Sequence, residues 1–385
     1  MKNIVGQAVR GKDFWDRKSE LAKIWHAIEN GTHPLLVAPR RVGKTSIMYK
    51  ILDEPKDDYA VVYVNTESAY SANEFWHKLF NALIDEEFNN KNSAKFKNFC
   101  TKLKTLNIES ISLSGSIKLG DTKELNYAEA FEALIKDIES DKKLIIMMDE
   151  FAQTIENIVK YSTIKEAESL LAIHRTLRQN PKIASKISFV YAGSIGLESV
   201  VERFNAIKFI NDLNAIKITP LPHSEAKEFV HELCKQIHDE EITYLLEKIE
   251  WLIPFYIQLI IQELNTFYVE KALHVIQKKD IDEAILRAIG CKNYFDYWRE
   301  RIQAAFEPNE FKFAKDLLNL LSEQSTLESK EYINLGVKHA LAEDEARKIV
   351  HVLVYDGYIN NNENPKIYRF NSPILKLWWY KNVAN

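Results

Sequence analysis

The residues best suited to chemistry lie in two short stretches. The first is Ala38-Pro39-Arg40-Arg41-Val42-Gly43-Lys44-Thr45-Ser46. It follows the phosphate-loop pattern GxxxxGK[ST] except at its first position, where Ala38 stands in place of glycine. An apolar run, Leu35–Val37, precedes it, and a helical pattern over 45–53 follows. In that setting successive backbone N–H groups wrap a phosphate chain, and the helix N-terminus adds positive potential. Arg40, Arg41, Val42, Gly43, Lys44, Thr45 and Ser46 are therefore the candidate nucleotide-binding residues. Gly43 permits close backbone approach, Lys44 reaches the β- and γ-phosphates, and Ser46 sits near the α-phosphate. Thr45 offers its hydroxyl to Mg²⁺. Ala38 fits this loop provided its φ is negative.

The second stretch is Leu144-Ile145-Ile146-Met147-Met148-Asp149-Glu150, about 100 residues further on. An apolar strand ending in two acids has the form of a Walker B strand. Asp149 would hold Mg²⁺, directly or through water. Glu150 is placed to polarise an attacking water as general base. Ser194, at the end of the run Phe189–Ser194, could hydrogen-bond the γ-phosphate or cap the next helix.

Elements must hold these groups in place. Five apolar runs at 35–38, 60–64, 144–148, 187–192 and 215–219 read as strands buried on both faces. Helical patterns over 45–53, 72–88, 127–139, 163–179 and 197–204 alternate with them, which predicts an α/β domain over residues 1–220. Residues 89–121 interrupt the rhythm and contain the alternating stretch ISLSGSIKL, read as a surface insertion with a small hairpin. Strand signals stop at Leu221, and residues 221–305 read as an all-helical domain. Residues 306–385 show three helices and then a hairpin around an Asn-rich turn, the pattern of a winged helix-turn-helix.

These residues resemble the archaeal and bacterial AAA-type ATPases related to the STAND class of P-loop NTPases. The loop of that family reads GPRRxGKT, matched here by Pro39 to Thr45. An aromatic–x–Arg–x–x–Glu–Leu opening is matched by Trp15, Arg17, Glu20 and Leu21, with Phe14 just before. Gly193 and Ser194 match a Gly–Ser strand end, and Pro254 to Tyr256 match a Pro–x–Tyr helix start. The resemblance implies an α/β P-loop NTPase (AAA-type) core with a helical lid and a C-terminal winged helix-turn-helix. It implies ATP and Mg²⁺ as cofactors and ATP hydrolysis as the activity. Phe14 and Arg17 would then lie near the adenine, Tyr256 would close over the nucleotide, and Asn65 would restrain the catalytic glutamate. Lys44, Glu150 and an arginine finger would be catalytic. Among Arg175, Arg178 and Arg203, Arg178 is preferred because its helix leads toward the fourth strand.

Composition narrows the remaining classes. Of 385 residues, 46% are hydrophobic and 28% charged, which excludes dominant disorder. Only 11 glycines argues for helices over a turn-rich all-β protein. No apolar run reaches the roughly 20 residues of a membrane span. With no secretory leader pattern at the N-terminus and no CxxC pair among its three cysteines, the chain is expected in the cytoplasm. The net charge is −4, and residues 309–385 carry ten basic and ten acidic side chains. A neutral C-terminal domain does not favour DNA. The expected function is an ATP-driven switch that recruits a protein partner or effector in trans, for instance in antiviral defence. It would act alone or as a homo-oligomer. The alternative is a DNA-associated ATPase similar to origin-recognition initiators.

Overall fold

A computed structural model describes residues 1–87, 108–111, 117–119, 126–137, 141–270 and 275–384. The chain separates into two compact units. One comprises Arg17–Val37 and Lys44–Lys217; the other comprises Met1–Asp16, Ala38–Gly43 and Ile218–Asn385.

The first unit is built on a five-stranded parallel sheet: β1 (His33–Val37), β2 (Tyr59–Asn65), β5 (Lys143–Asp149), β6 (Ile187–Ala192) and β7 (Leu213–Lys217), in the order β2-β5-β6-β1-β7. β3 (Ile108–Ile111) and β4 (Ile117–Leu119) form a separate antiparallel hairpin, the described part of the expected insertion. β5 shows why the apolar runs are continuous. Ile145, Ile146, Met147 and Met148 are all fully buried, because helices cover both faces of a parallel sheet. The helix Lys18–Glu29 packs on β1, Lys44–Asp53 and Ala72–Glu87 on β2, and Phe151–Tyr161 on β6.

Register fixes the site. Asn65 at the end of β2 pairs with Asp149 at the end of β5. Thr66 extends the pairing, its N–H donating to the Asp149 carbonyl at 3.0 Å. Its hydroxyl donates to the same carbonyl, and the buried Thr154 hydroxyl donates back to the Thr66 carbonyl at 2.7 Å. The carboxyl ends of β2 and β5 are thus tied to the helix that follows.

The second unit is mainly helical. Pro254–Glu270 is its central helix, with Phe255, Tyr256, Ile257, Leu259, Ile260 and Ile261 all buried. Three short antiparallel strands, β8 (Leu327–Glu328), β9 (Ile359–Asn360) and β10 (Ile367–Phe370), run in the order β8-β10-β9 beside the helices Pro308–Glu323, Ser329–Lys338 and Glu343–Tyr355. The aromatic tail forms a further helix, Pro373–Asn382, capped by Ser372. That helix buries Trp378 and Trp379, and Trp379 Nε1 donates to Asn319 at 2.9 Å. The apolar tail therefore completes the core of its own unit.

One grouping differs from expectation. The first sixteen residues group with the C-terminal unit rather than with the sheet. Ring contact between Trp15 and Phe229 and the bond from Asn3 to the Gln258 carbonyl account for it. Residues 218–385 belong to that same unit. Among the described residues no helix is long and apolar enough to cross a membrane. Cys234 and Cys291 are free thiols, whereas Cys100 lies outside the described residues.

Candidate functional site

β1 ends at Val37 and the helix Lys44–Asp53 begins seven residues later, so residues 38–43 form a tight turn between strand and helix. Gly43 sits at φ +108, a conformation that side-chain-bearing residues rarely adopt. Arg41 is left-handed at φ 65, while Ala38 stays outside the positive-φ region and is 2% exposed. The missing first glycine is thereby explained: the backbone at 38 makes no demand that alanine cannot meet. Lys44 and Ser46 are buried in the first turn of the helix.

Asp149 is the centre of the acidic side. It is 2% exposed. Its Oδ2 accepts from the Thr45 hydroxyl at 2.7 Å and from the Tyr63 hydroxyl at 3.0 Å, and its Oδ1 accepts from the Glu150 N–H at 3.0 Å. Burial pushes its carboxyl above the usual carboxylate range, opposed first by the Thr45 hydrogen bond. Burial and the neighbouring Asp149 also hold the Tyr63 phenol up, so it remains a donor.

Glu150 is left-handed at φ 56, a conformation costing a non-glycine residue roughly 1–2 kcal/mol. The turn swings its side chain toward β6. There Oε2 accepts from both the backbone N–H and the hydroxyl of Ser194, at 2.9 and 2.7 Å. Ser194 is 3% exposed. Gly193 permits this approach, since a Cβ there would meet Ala152 Cβ at 3.2 Å. Thr45, Asp149, Glu150 and Ser194 thus form one connected set at the carboxyl ends of β1, β5 and β6, the edge where open α/β sheets bind ligands.

Other expected site residues are placed differently. Asn65 does not hold Glu150; its Oδ1 accepts the Glu67 N–H at 2.9 Å and caps a turn, while Ser194 takes the glutamate. Arg178 is a correction. Its guanidinium donates to both Asp212 oxygens at 2.7 and 2.8 Å, to the Tyr191 hydroxyl and to the Phe209 carbonyl, and its side chain is 1% exposed. Its carbonyl lies 3.5 Å from His33 at the start of β1. The phosphate loop is at the other end of that strand, about 16 Å away at the usual rise per residue. Arg178 is a buried structural cation there, not an available finger. Arg203 pairs with Glu156 at 2.6 Å.

Arg17 is buried and paired with Glu20 at 3.0 Å within its own helix start. Tyr256 is fully buried among Trp251, Phe255 and Phe295, a core position rather than a surface over a ligand. Phe14 is half-buried. Arg41 directs its guanidinium onto two aromatic rings, 4.1 Å from the Phe255 centroid and 4.2 Å from that of Tyr297. Its side chain therefore serves packing, while its backbone remains part of the loop.

Sequence reasoning missed Tyr63. The signal was alternation: Tyr63 is two residues from Asn65, on the same face of β2, and β2 pairs with the acid-bearing strand.

No match was found among curated proteins. Among solved structures the chain is similar to the Walker-type ATPase paby2304 of Pyrococcus abyssi, at 17% identity and TM-score 0.66 over 98% of this chain and 99% of that one. It is also similar to the Aeropyrum pernix ORC2 protein, solved as ADPNP–ADP complexes, at 10% identity and TM-score 0.57 over 95% of this chain and 92% of that one. At such identities these likenesses establish the shared fold. The family described as an ATPase domain predominantly from Archaea matches residues 14–251, so the chain belongs to that ATPase family.

Proposed function

We propose that this ATPase-family chain binds ATP with Mg²⁺ at the phosphate loop, hydrolyses it, and uses its nucleotide state to recruit or release a protein partner. The observation that carries the reading is the connected set Thr45–Asp149–Glu150–Ser194 beside Lys44. The donor set fits Mg²⁺, since a hydroxyl and a carboxylate oxygen stand 2.7 Å apart and both are hard oxygen ligands. Thr45 and Asp149 would hold the ion, which would neutralise phosphate charge when bound. Lys44 and the loop N–H groups of Arg40 to Ser46 bind the phosphates. Glu150 polarises the attacking water through the carboxylate oxygen that Ser194 does not engage. Phe14 lies toward the base.

The strand order β8-β10-β9 beside three helices supports a winged helix-turn-helix at the C-terminus, with residues 221–305 as the helical lid. The loop arginines Arg40 and Arg41 support a relation to the STAND class. Protein recruitment is favoured over DNA by charge. The helix Glu343–Tyr355 opens with Glu343, Asp344 and Glu345, which would face phosphates unfavourably. Its Arg347 is paired with Glu343, and Arg369 on β10 with Glu250 and Glu363.

The test is steady-state ATP turnover with Mg²⁺ for wild type and Glu150→Gln. The expected result is turnover in the wild type and a loss of at least about 100-fold in the variant, within the range of a lost general base. Equal rates remove Glu150 from the role.

A further inference from the structure

The front half of the phosphate loop is gripped from an unexpected direction. Ala38–Gly43 belongs to the same compact unit as residues 1–16 and 218–385. Within that unit the Arg41 guanidinium is sandwiched between Phe255, in the first turn of the helix Pro254–Glu270, and Tyr297, in the middle of the helix Lys292–Ala305. A third side is closed by Gly6, where a Cβ would come 3.0 Å from the Arg41 Nη1. Two residues earlier Pro39 is held as well. A Cβ on Gly357 would lie 2.7 Å from the Pro39 Cβ and 2.8 Å from the Trp251 ring, so the turn after Glu343–Tyr355 presses directly on the loop.

These contacts fall on a strained piece of backbone. Arg41 is the loop's one non-glycine residue at positive φ. Left-handed geometry at a long side chain persists only when its surroundings over-determine it. The two rings supply that restraint. Their faces carry negative potential toward the planar cation, and the stack is specific to guanidinium and aromatic partners.

We infer that Arg41 is a positioning residue: seated in the Phe255–Tyr297 slot, its side chain holds the phosphate loop in its anion-binding turn, so that nucleotide affinity depends on an aromatic ring more than 250 residues downstream. The inference rests on the ATP-binding reading above. It differs from it in assigning the Arg41 side chain to the rings and not to phosphate.

The experiment is titration calorimetry of the full chain with MgATP and with MgADP, on wild type, Tyr297→Phe, Tyr297→Leu, Arg41→Gln and the double variant Arg41→Gln/Tyr297→Leu. Thermal melts confirm that each is folded. Phenylalanine keeps the π face, so Tyr297→Phe binds within about twofold of wild type. Leucine keeps apolar bulk without the ring, and Tyr297→Leu weakens both nucleotides about tenfold, within the span of a desolvated cation–π contact. The double variant is then no weaker than Arg41→Gln alone, because the two residues act through one contact. Should Tyr297→Leu lower affinity no further than Tyr297→Phe, or add its full loss on top of Arg41→Gln, the slot is only local packing and the inference fails. Loss confined to Arg41→Gln, and larger for MgATP than for MgADP, would show the guanidinium on the γ-phosphate and overturn it. A wild type that binds neither nucleotide overturns the functional reading and this inference together.

Discussion

Replacing Ser194 by alanine tests how the candidate base is aimed. Glu150 Oε2 accepts two hydrogen bonds from Ser194, one from the backbone and one from the hydroxyl. The substitution removes only the 2.7 Å hydroxyl bond. A hydrogen bond to a charged group contributes roughly 1.5–3 kcal/mol. The backbone N–H still holds the same oxygen, so the expected loss falls just under that range, about 1.4 kcal/mol, or about tenfold in rate. Ser194 is 3% exposed, so water does not readily take over the missing donor. Steady-state ATPase assays should show kcat down about tenfold with KM for ATP nearly unchanged, because the bond orients the base and does not hold the nucleotide. In a Glu150→Gln background the same substitution should have little further effect. A kcat equal to or above wild type would refute the reasoning, since the hydroxyl would then restrain Glu150 instead of aiming it.

Two further outcomes follow from the buried cations and imidazoles at the opposite end of the sheet. Burial, aided by the nearby Arg178 charge, lowers the His33 imidazole from 6.5 to about 4, and His174, also buried, is depressed as well. An unfolded histidine binds its proton at higher pH than these do, so stability is retained above about pH 6.5 and lost as pH falls toward 4. His33 alone is worth about 3 kcal/mol over that window. Urea midpoints measured from pH 7 to 4.5 should fall steeply in wild type and less steeply in His33→Asn; equal slopes would remove His33 from the effect. Arg178→Lys cannot make the paired bonds to Asp212 and should cost about 3 kcal/mol of stability by denaturant titration. Its ATP turnover per folded molecule should match wild type, whereas losing an arginine finger would cost 1,000-fold or more.

The parts of the fold that were legible in the sequence are those under the tightest burial. Ile145 to Met148 read as a strand because both faces must be apolar, and Gly43 marked a backbone turn open only to glycine. Asp149 and Glu150 could be picked out because an apolar strand that ends in two acids needs a reason for them. Less legible were roles that depend on what a side chain meets across the fold. Arg178, read from the direction of its helix, is consumed by Asp212, Tyr191 and the Phe209 carbonyl, none of which is near it in sequence. Tyr256 fitted a motif, yet rings outside its own helix, Trp251 and Phe295, help to bury it. Five helices were missed: Lys18–Glu29, Phe151–Tyr161, the single turn Pro181–Ala184, Lys292–Ala305, and Pro373–Asn382, whose aromatic run masks its period. The grouping of residues 1–16 with the C-terminal unit had no local signal, since it rests on pairs such as Asn3 with Gln258.

The aromatic seat of Arg41 bears on how this enzyme can be cut. A fragment trimmed to the family-matched span, 14–251, keeps Lys44, Thr45, Asp149, Glu150 and Ser194. It discards Gly6, Phe255, Tyr297 and Gly357, the groups that flank Arg41 and Pro39. Such a piece would retain these groups of the proposed site while its guanidinium hung in solvent, so weak nucleotide capture by an isolated ATPase domain would report on the scissors, not on the protein.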